Sequence, residues 1–368
     1  MPPMKDIVYF SSIPWDYFHH RQQEMMFWFS QHGYDVWYWE PTASLGSGLN
    51  IRDYSPTLHL VRTGGIRFER GFRLINRINS IIQSKAFSSM LEDGLINNPI
   101  IWFDRVHGVD YERYLDSYTC IYDLIDEITA FGRFKNRQLL LEIEGRVIDG
   151  CDLVVTSSRT LGERKTDCRA NSPLFIPNGC DPLMLQADTS QLFDGHRPTI
   201  GFCGTISNRS LDLDLIDSVA AQLPNYRFVF AGPRDSSAAG IAFSSDNIEL
   251  VDPVTPAELP YLLSTFDVGF IPYRIDSSSM DYVFPKKAFE YMAVGLPVVS
   301  TPLPECLRLD GGVSCADSIP GIVEAIVDAV EHSNELVERQ KEIASAHTWD
   351  VLLPKLESEI NKLENRVG

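Results

Sequence analysis

No apolar run in these 368 residues approaches the roughly 18–20 residues that cross a bilayer. The amino-terminal MPPMKDIVYFSSIPWD also lacks a basic region followed by a long apolar stretch. A chain that is neither secreted nor membrane-spanning is therefore expected, with a cytoplasmic location. The seven cysteines (Cys120, Cys151, Cys168, Cys180, Cys203, Cys306 and Cys315) are odd in number, scattered, and never spaced C-x-x-C. That excludes a zinc ribbon and fits a reducing compartment. Basic charge is scarce: Lys and Arg total 32 against 50 Asp and Glu, a net charge of −18. General nucleic-acid binding needs dense cationic surfaces and is excluded as a partner class. What is present is a composition of 44% hydrophobic and 22% charged residues, ordinary for folded globular domains. The length allows two α/β domains of about 100–200 residues each.

Short β-rich runs alternate with helical patterns, the signature of βα units and parallel sheets. Strands are expected at 6–13, 34–39, 58–62, 100–104, 119–125, 153–157 and 174–176. A second series follows at 199–202, 227–231, 248–251, 268–272 and 297–300. Helical patterns fall at 16–32, 135–149, 211–222, 256–264, 285–293 and 319–332, with a separate charged one at 350–365. The stretch 183–197 loses periodicity and gathers Asp, Ser, Gly and Pro. The organisation read from this is a first Rossmann-like domain over 1–182, a linker over 183–197, a second Rossmann-like domain over 198–349, and a closing helix over 350–368.

In open parallel sheets ligands bind beyond the carboxyl ends of the strands. After the strand at 199–202 come Gly201-Phe202-Cys203-Gly204 and then Thr205 to Arg209 before a helix. Glycines there let backbone N–H groups approach a diphosphate, with Gly201, Gly204, Thr205 and Arg209 as donor-binding candidates. A plain tight turn is the alternative. In Pro285-Lys286-Lys287-Ala288-Phe289-Glu290-Tyr291, Pro285 suits the first turn of a helix. Lys287 is placed to neutralise a diphosphate, and Glu290, one turn on, to accept from ribose hydroxyls. A solvated Lys–Glu pair is the competing reading. Asp212-Leu213-Asp214 matches a D-x-D metal motif but lies at a helix start, where acids favour the helix dipole; no metal site is expected.

The run Lys287-x-x-Glu290-Tyr291-x-Ala293-x-Gly295-x-Pro297-Val298-Val299-Ser300-Thr301 resembles the donor-site segment of bacterial GT-B glycosyltransferases in the family-four-like group. Five further segments agree in order and spacing: 121–126, Glu144 with 151–158, 176–181, 200–204 and 265–273. The resemblance extends to transferases of bacterial surface-polysaccharide assembly, such as those of teichuronic acid and of the glucuronic acid of xanthan. It implies an α/β GT-B fold of two Rossmann-like domains facing a cleft, the second binding a nucleotide-sugar through Lys287, Glu290 and Tyr291, with a UDP-sugar as the first expectation. It implies a sugar, glycan or lipid-linked acceptor at the first domain, a final helix crossing back, no bound metal and no cofactor. Where retaining members carry two glutamates eight apart, this chain has Glu290 but Tyr282, which leaves the stereochemistry open. Family members often place an arginine where Arg21 stands, making it an acceptor-binding candidate, with a surface arginine on an amphipathic helix as the alternative.

Glycosyl transfer to a hydroxyl by inversion needs a base within reach of the acceptor. Asp126 is the expected base, with Asp123, Asp104 and His107 as competitors after neighbouring strands; a turn-capping role for Asp123 or Asp126 is the alternative. Trp28, Trp37 and Trp39 read as core. A nucleotide-sugar 2-epimerase or a non-catalytic nucleotide-sugar-binding protein would share this architecture. One segment breaks the acidic balance: Arg70, Arg73, Arg77 and Lys85 lie among Phe72, Ile75, Ile78, Ile82 and Phe87. It reads as an amphipathic basic helix, with three uses open to it: packing on the sheet, clamping an anionic acceptor, or peripheral contact with an anionic membrane.

Overall fold

The computed structural model describes residues 4–17, 20–42, 48–66, 73–106, 109, 111–129, 137–166, 172–186, 197–238, 240, 243–275, 280–309 and 311–367. The chain divides into two compact units, one of Met1–Ile176 with Leu353–Gly368 and one of Pro177–Leu352.

In chain order the first unit contains β1 (Lys5–Phe10), α1 (Arg21–Gln31), β2 (Tyr34–Trp39), β3 (Leu49–Ser55), β4 (Leu58–Thr63), α2 (Arg73–Glu92), β5 (Ile100–Phe103) and α3 (Tyr111–Leu115). It continues with β6 (Cys120–Leu124), α4 (Arg137–Gly150), β7 (Leu153–Thr156), α5 (Arg159–Thr166) and β8 (Leu174–Phe175). The strands form one sheet in the order β3-β4-β2-β1-β5-β6-β7-β8. All pairs are parallel except β3 with β4. The central strands are apolar without alternation because helices cover both faces: Ile7, Val8, Tyr9 and Phe10 are all fully buried, as is Trp39, with Trp28 and Trp37 nearly so. Strand order reverses between β1 and β5, the switch point of a doubly wound sheet.

The second unit contains β9 (Thr199–Cys203), α6 (Leu213–Gln222), β10 (Arg227–Ala231), β11 (Ile248–Val251), α7 (Leu259–Leu263), β12 (Val268–Ile271), α8 (Lys286–Ala293), β13 (Val298–Ser300), α9 (Pro304–Leu307) and β14 (Ser314–Cys315). The helices α10 (Ile319–Glu331) and α11 (Ser333–Ser345) complete it. Its sheet is parallel throughout, in the order β11-β10-β9-β12-β13-β14. This is the 3-2-1-4-5-6 arrangement of dinucleotide-binding folds, with the switch point between β9 and β12.

The division after Ile176 lies earlier than the sequence reading of 182. The reason is local: the Cys180 amide donates to His347 O (3.1 Å) and the Trp349 amide to Cys180 O (3.2 Å), which fixes this turn to the end of the second unit. The 3-10 turn Pro182–Gln186 then packs on α8 and α11. Most of the expected linker, residues 187–196, lies outside the described residues. The last helix, α12 (Trp349–Val367), belongs to the first unit from Leu353 onward, where Lys5 Nζ donates to Asn361 Oδ1 at 2.8 Å. Among the described residues no helix is long and apolar enough to cross a membrane.

Candidate functional site

At the switch point of the second unit the polypeptide leaves β9 at Cys203 and turns at Gly204. The φ of +149° at Gly204 is one that side-chain-bearing residues rarely adopt, and an added Cβ would lie 3.1 Å from Lys287 Cε and 3.2 Å from its Nζ. Lys287, in the first turn of α8, lies directly against this turn. Its ammonium donates to the Tyr273 hydroxyl at 2.6 Å and sits 5.0 Å from the ring centres of both Phe202 and Tyr273. Burial works against its charge, but Tyr273 and Glu290 outweigh that and hold the ammonium above its ordinary range. Glu290 pairs with Lys286, not Lys287, at 3.1 Å across one helical turn. Thr205 and Arg209 are exposed on the loop after Gly204, and the Arg209 amide donates to Ser207 Oγ at 3.2 Å.

Two donor-binding expectations need correction. Gly201 lies inside β9, where an added Cβ would come within 1.9 Å of the Phe266 ring; its smallness serves sheet packing. Tyr291 is fully buried, and its hydroxyl accepts the Cys203 amide at 2.8 Å. It fixes the end of β9 from beneath and is closed off from solvent. Tyr282, at the position of the missing glutamate, is also buried. Asp212 caps α6 by accepting the Leu215 amide at 3.0 Å, with Asp214 in the first turn. This is the helix-start role expected of that pair.

In the first unit the switch point gathers four of the residues singled out in the sequence. Arg21 opens α1, but it is 3% exposed and closes on the fully buried Asp123. Its Nε lies 3.1 Å from Asp123 Oδ2 and its Nη2 3.2 Å from Oδ1, while Nη1 donates to Ile176 O at 2.8 Å. The expectation that Arg21 meets an acceptor is therefore corrected: this guanidinium is committed to an internal ion pair. Burial raises the Asp123 carboxyl, and Arg21 opposes that rise. Asp104, after β5, accepts from the Ser12 amide (2.6 Å), Ser12 Oγ (3.1 Å) and Gln22 Nε2 (2.8 Å), which ties the β1–α1 connection down. Burial pushes its carboxyl up to about 6 despite those bonds.

Asp126 differs from both. It lies just beyond β6, is exposed, and has no hydrogen bond to any described residue. Although the residue as a whole is exposed, the protein atoms packed around its carboxyl desolvate it and, with the charge of Asp123 adding, push it up to about 6. The loop that bears it is anchored on its far side: Lys165 Nζ reaches Glu127 (2.8 Å) and Glu144 (2.6 Å), and Tyr122 donates to Glu144 at 3.0 Å. His107 and Arg70 lie outside the described residues, as does the side chain of Arg73. Arg77 is exposed on α2.

Sequence reasoning missed Tyr273 and Phe202 as partners of Lys287, although both stand within quoted landmark segments. The signal available was that each closes or follows a strand on either side of the switch point. It also missed Ser12 and Gln22, whose pairing with Asp104 spans 92 and 82 positions along the chain.

Residues 197–332 match the family described as glycosyl transferases group 1. The putative teichuronic acid biosynthesis glycosyltransferase TuaH of Bacillus subtilis (strain 168) is 29% identical over 185 residues, 47% of this chain and 46% of that protein; the match spans about half the length of that relative. Among solved structures, sucrose-phosphate synthase from Thermosynechococcus elongatus superposes with a TM-score of 0.78 at 14% identity, covering 98% of this chain and 100% of that one. HepE of Anabaena, solved in complex with UDP, gives 0.69 at 13% identity over 98% and 100%. WaaG, a glycosyltransferase involved in lipopolysaccharide biosynthesis, gives 0.63 at 12% identity over 96% and 99%. With two doubly wound sheets, the second holding the segment 197–332 that matches the glycosyl transferases group 1 family, the chain has the GT-B fold.

Proposed function

We propose that the protein is a glycosyltransferase that moves a sugar from a nucleoside diphosphate sugar, a UDP-sugar first among them, to a hydroxyl of a sugar, glycan or lipid-linked acceptor. The observation that carries this reading is the Lys287 ammonium held against the Gly204 turn at the switch point of the second unit, within the segment matching the transferase family. A cation there meets the charge that grows on a departing diphosphate. The names of TuaH and of HepE in complex with UDP support polysaccharide assembly and a uridine nucleotide. The same reading places the protein in the cytoplasm and assigns Asp126 as the base that takes the acceptor proton. No metal ion or cofactor takes part in it, the nucleotide-sugar being a substrate.

Incubation of EDTA-treated protein with several nucleotide sugars, with and without candidate acceptors, is expected to give acceptor-dependent release of nucleoside diphosphate. Isomerisation of the donor alone would identify an epimerase, and binding without turnover a non-catalytic protein. Activity that returns only on adding Mg²⁺ or Mn²⁺ would overturn the metal-independent reading.

A second proposal concerns α2. Its outer face carries Leu74 and Ile81, 70% and 48% exposed, beside the exposed Arg77 and Lys85, while Phe87 and Met90 are buried in the unit's core. Apolar side chains left outside the core and flanked by cations suit an anionic bilayer surface, where each Lys or Arg contributes about 1 kcal/mol. We expect salt-sensitive co-sedimentation with phosphatidylglycerol vesicles, weakened by changing Arg70, Arg73 and Arg77 to Ser. No binding at low salt would sink the membrane reading and leave the acceptor clamp, to be read as a raised acceptor KM in the same variant.

A further inference from the structure

The ammonium of Lys287 is held in place before any ligand arrives. A free lysine keeps four rotatable bonds, and ordering it on binding costs affinity. Here the head is fixed from two sides: the Tyr273 hydroxyl at 2.6 Å, and the Phe202 ring, whose centre lies 5.0 Å from Nζ. Aromatic faces attract a cation without consuming its N–H donors. An ammonium has three donors, and Tyr273 is its sole hydrogen-bond partner among the described residues. Two therefore remain for oxygen atoms of a ligand.

Tyr273 is itself rigidly set. Its backbone bridges to Leu211, its carbonyl accepts Thr301 Oγ1 at 2.8 Å, and the preceding Pro272 carbonyl accepts the Asp212 amide at 2.9 Å. Two separate segments, Leu211–Asp212 and Thr301, thus converge on the strand end that carries the ring. The two rings meet edge to face with centres 6.4 Å apart, so neither yields without moving the other.

We propose that Tyr273 is a positioning residue for nucleoside diphosphate binding: its hydroxyl, with the Phe202 ring opposite, presets the Lys287 ammonium for the diphosphate. This rests on the donor-site reading above and adds to it the residue through which Lys287 is made ready. Because the diphosphate and not the base meets Lys287, the effect falls on the charged part of the ligand.

The test compares UDP with uridine by calorimetry on the full chain. Lys287→Ala is expected to weaken UDP by about 10- to 150-fold, the range for a lost charge-assisted hydrogen bond. Tyr273→Phe keeps the ring against Phe202 and removes only the hydroxyl; it is expected to weaken UDP by about 3- to 10-fold and leave uridine unchanged. Tyr273→Leu removes the ring as well and should weaken UDP further. Equal loss of uridine and UDP in Tyr273→Phe would mean the tyrosine only supports the fold, overturning the proposal. Unchanged or tighter UDP binding would also overturn it, the latter marking Tyr273 as a competitor for the ammonium. Failure of the donor-site reading looks different: Lys287→Ala would then leave UDP affinity as it was.

Discussion

Asp126→Asn is expected to lower kcat by about 10²–10⁴-fold while leaving nucleotide affinity in place, the loss typical of removing a positioned base. Of the acidic candidates described, only Asp126 is an exposed residue whose carboxylate has no hydrogen-bond partner among the described residues. Asp123 is closed on Arg21 and Asp104 on the β1–α1 connection. A carboxyl raised to about 6 is a stronger base than an ordinary one and is still ionised at neutral pH. As the base must be deprotonated, kcat should climb as pH rises through about 6 and then level off. The rising limb should vanish in Asp126→Asn. Steady-state rates across about pH 5–8 with a responsive donor and acceptor would check both statements. A variant with near-normal kcat and an unchanged profile would remove Asp126 from the mechanism.

Arg21→Met should destabilise the first unit by about 3–5 kcal/mol, the cost of stranding one member of a buried ion pair. Arg21 is 3% exposed and Asp123 fully buried, so solvent does little to screen the pair or to rescue the survivor. The pH dependence follows from the direction of the Asp123 shift. Burial raises that carboxyl in the folded protein and Arg21 lowers it again, so losing Arg21 raises it further. A carboxyl raised in the folded state binds a proton that the unfolded chain has already released. The stability this gives is present at low pH and fades as pH rises through the folded pKa. The deficit of Arg21→Met should therefore be largest at about pH 7–8 and shrink towards about pH 5. Urea denaturation at the two ends of that range measures it, and an Arg21→Met variant that keeps the parental midpoint at the alkaline end would contradict the ion-pair account. Replacing both partners by apolar residues is expected to recover much of the loss, because no uncompensated charge remains.

Arg21 also shows where the sequence stops being legible. Its position ahead of an amphipathic helix suggests either a ligand contact or a surface side chain. What decides the matter is Asp123, 102 positions away, and the Ile176 carbonyl, 155 away; no local pattern encodes such pairs. The strands, by contrast, are legible to within a residue or two at most of their ends. Runs such as Arg227–Ala231 and Ile248–Val251 are short, β-rich and bounded by turn residues. Exceptions are β14, only two residues long, and β3: LNIRDYS is polar, and none of its residues is buried. It joins the sheet edge by antiparallel backbone pairing with β4, which apolar periodicity does not report. The helix α11 escapes the sequence reading for a similar reason, being polar or charged along most of its length.

In the segment from Pro285 to Thr301 the residue types are legible and the pairings are not. Helical spacing puts Glu290 three residues from Lys287 and four from Lys286, and both separations share a face. The fold chooses Lys286, because Lys287 is drawn to the aromatic side chains at the ends of β9 and β12. Glycines raise the same difficulty. Gly201 and Gly204 look alike in G-F-C-G, yet one makes room for Phe266 and the other for Lys287.

The turn at Cys180 bears on how the chain is threaded. Pro177–Leu352 begins and ends at neighbouring points, stitched by the bridge between Cys180 and Thr348, while the first unit is assembled from two pieces that flank it. Topologically the second unit is an insertion with a sealed neck. Ribosomal synthesis therefore completes it before the first unit receives residues 353–367, and that unit lacks this helix until they are made.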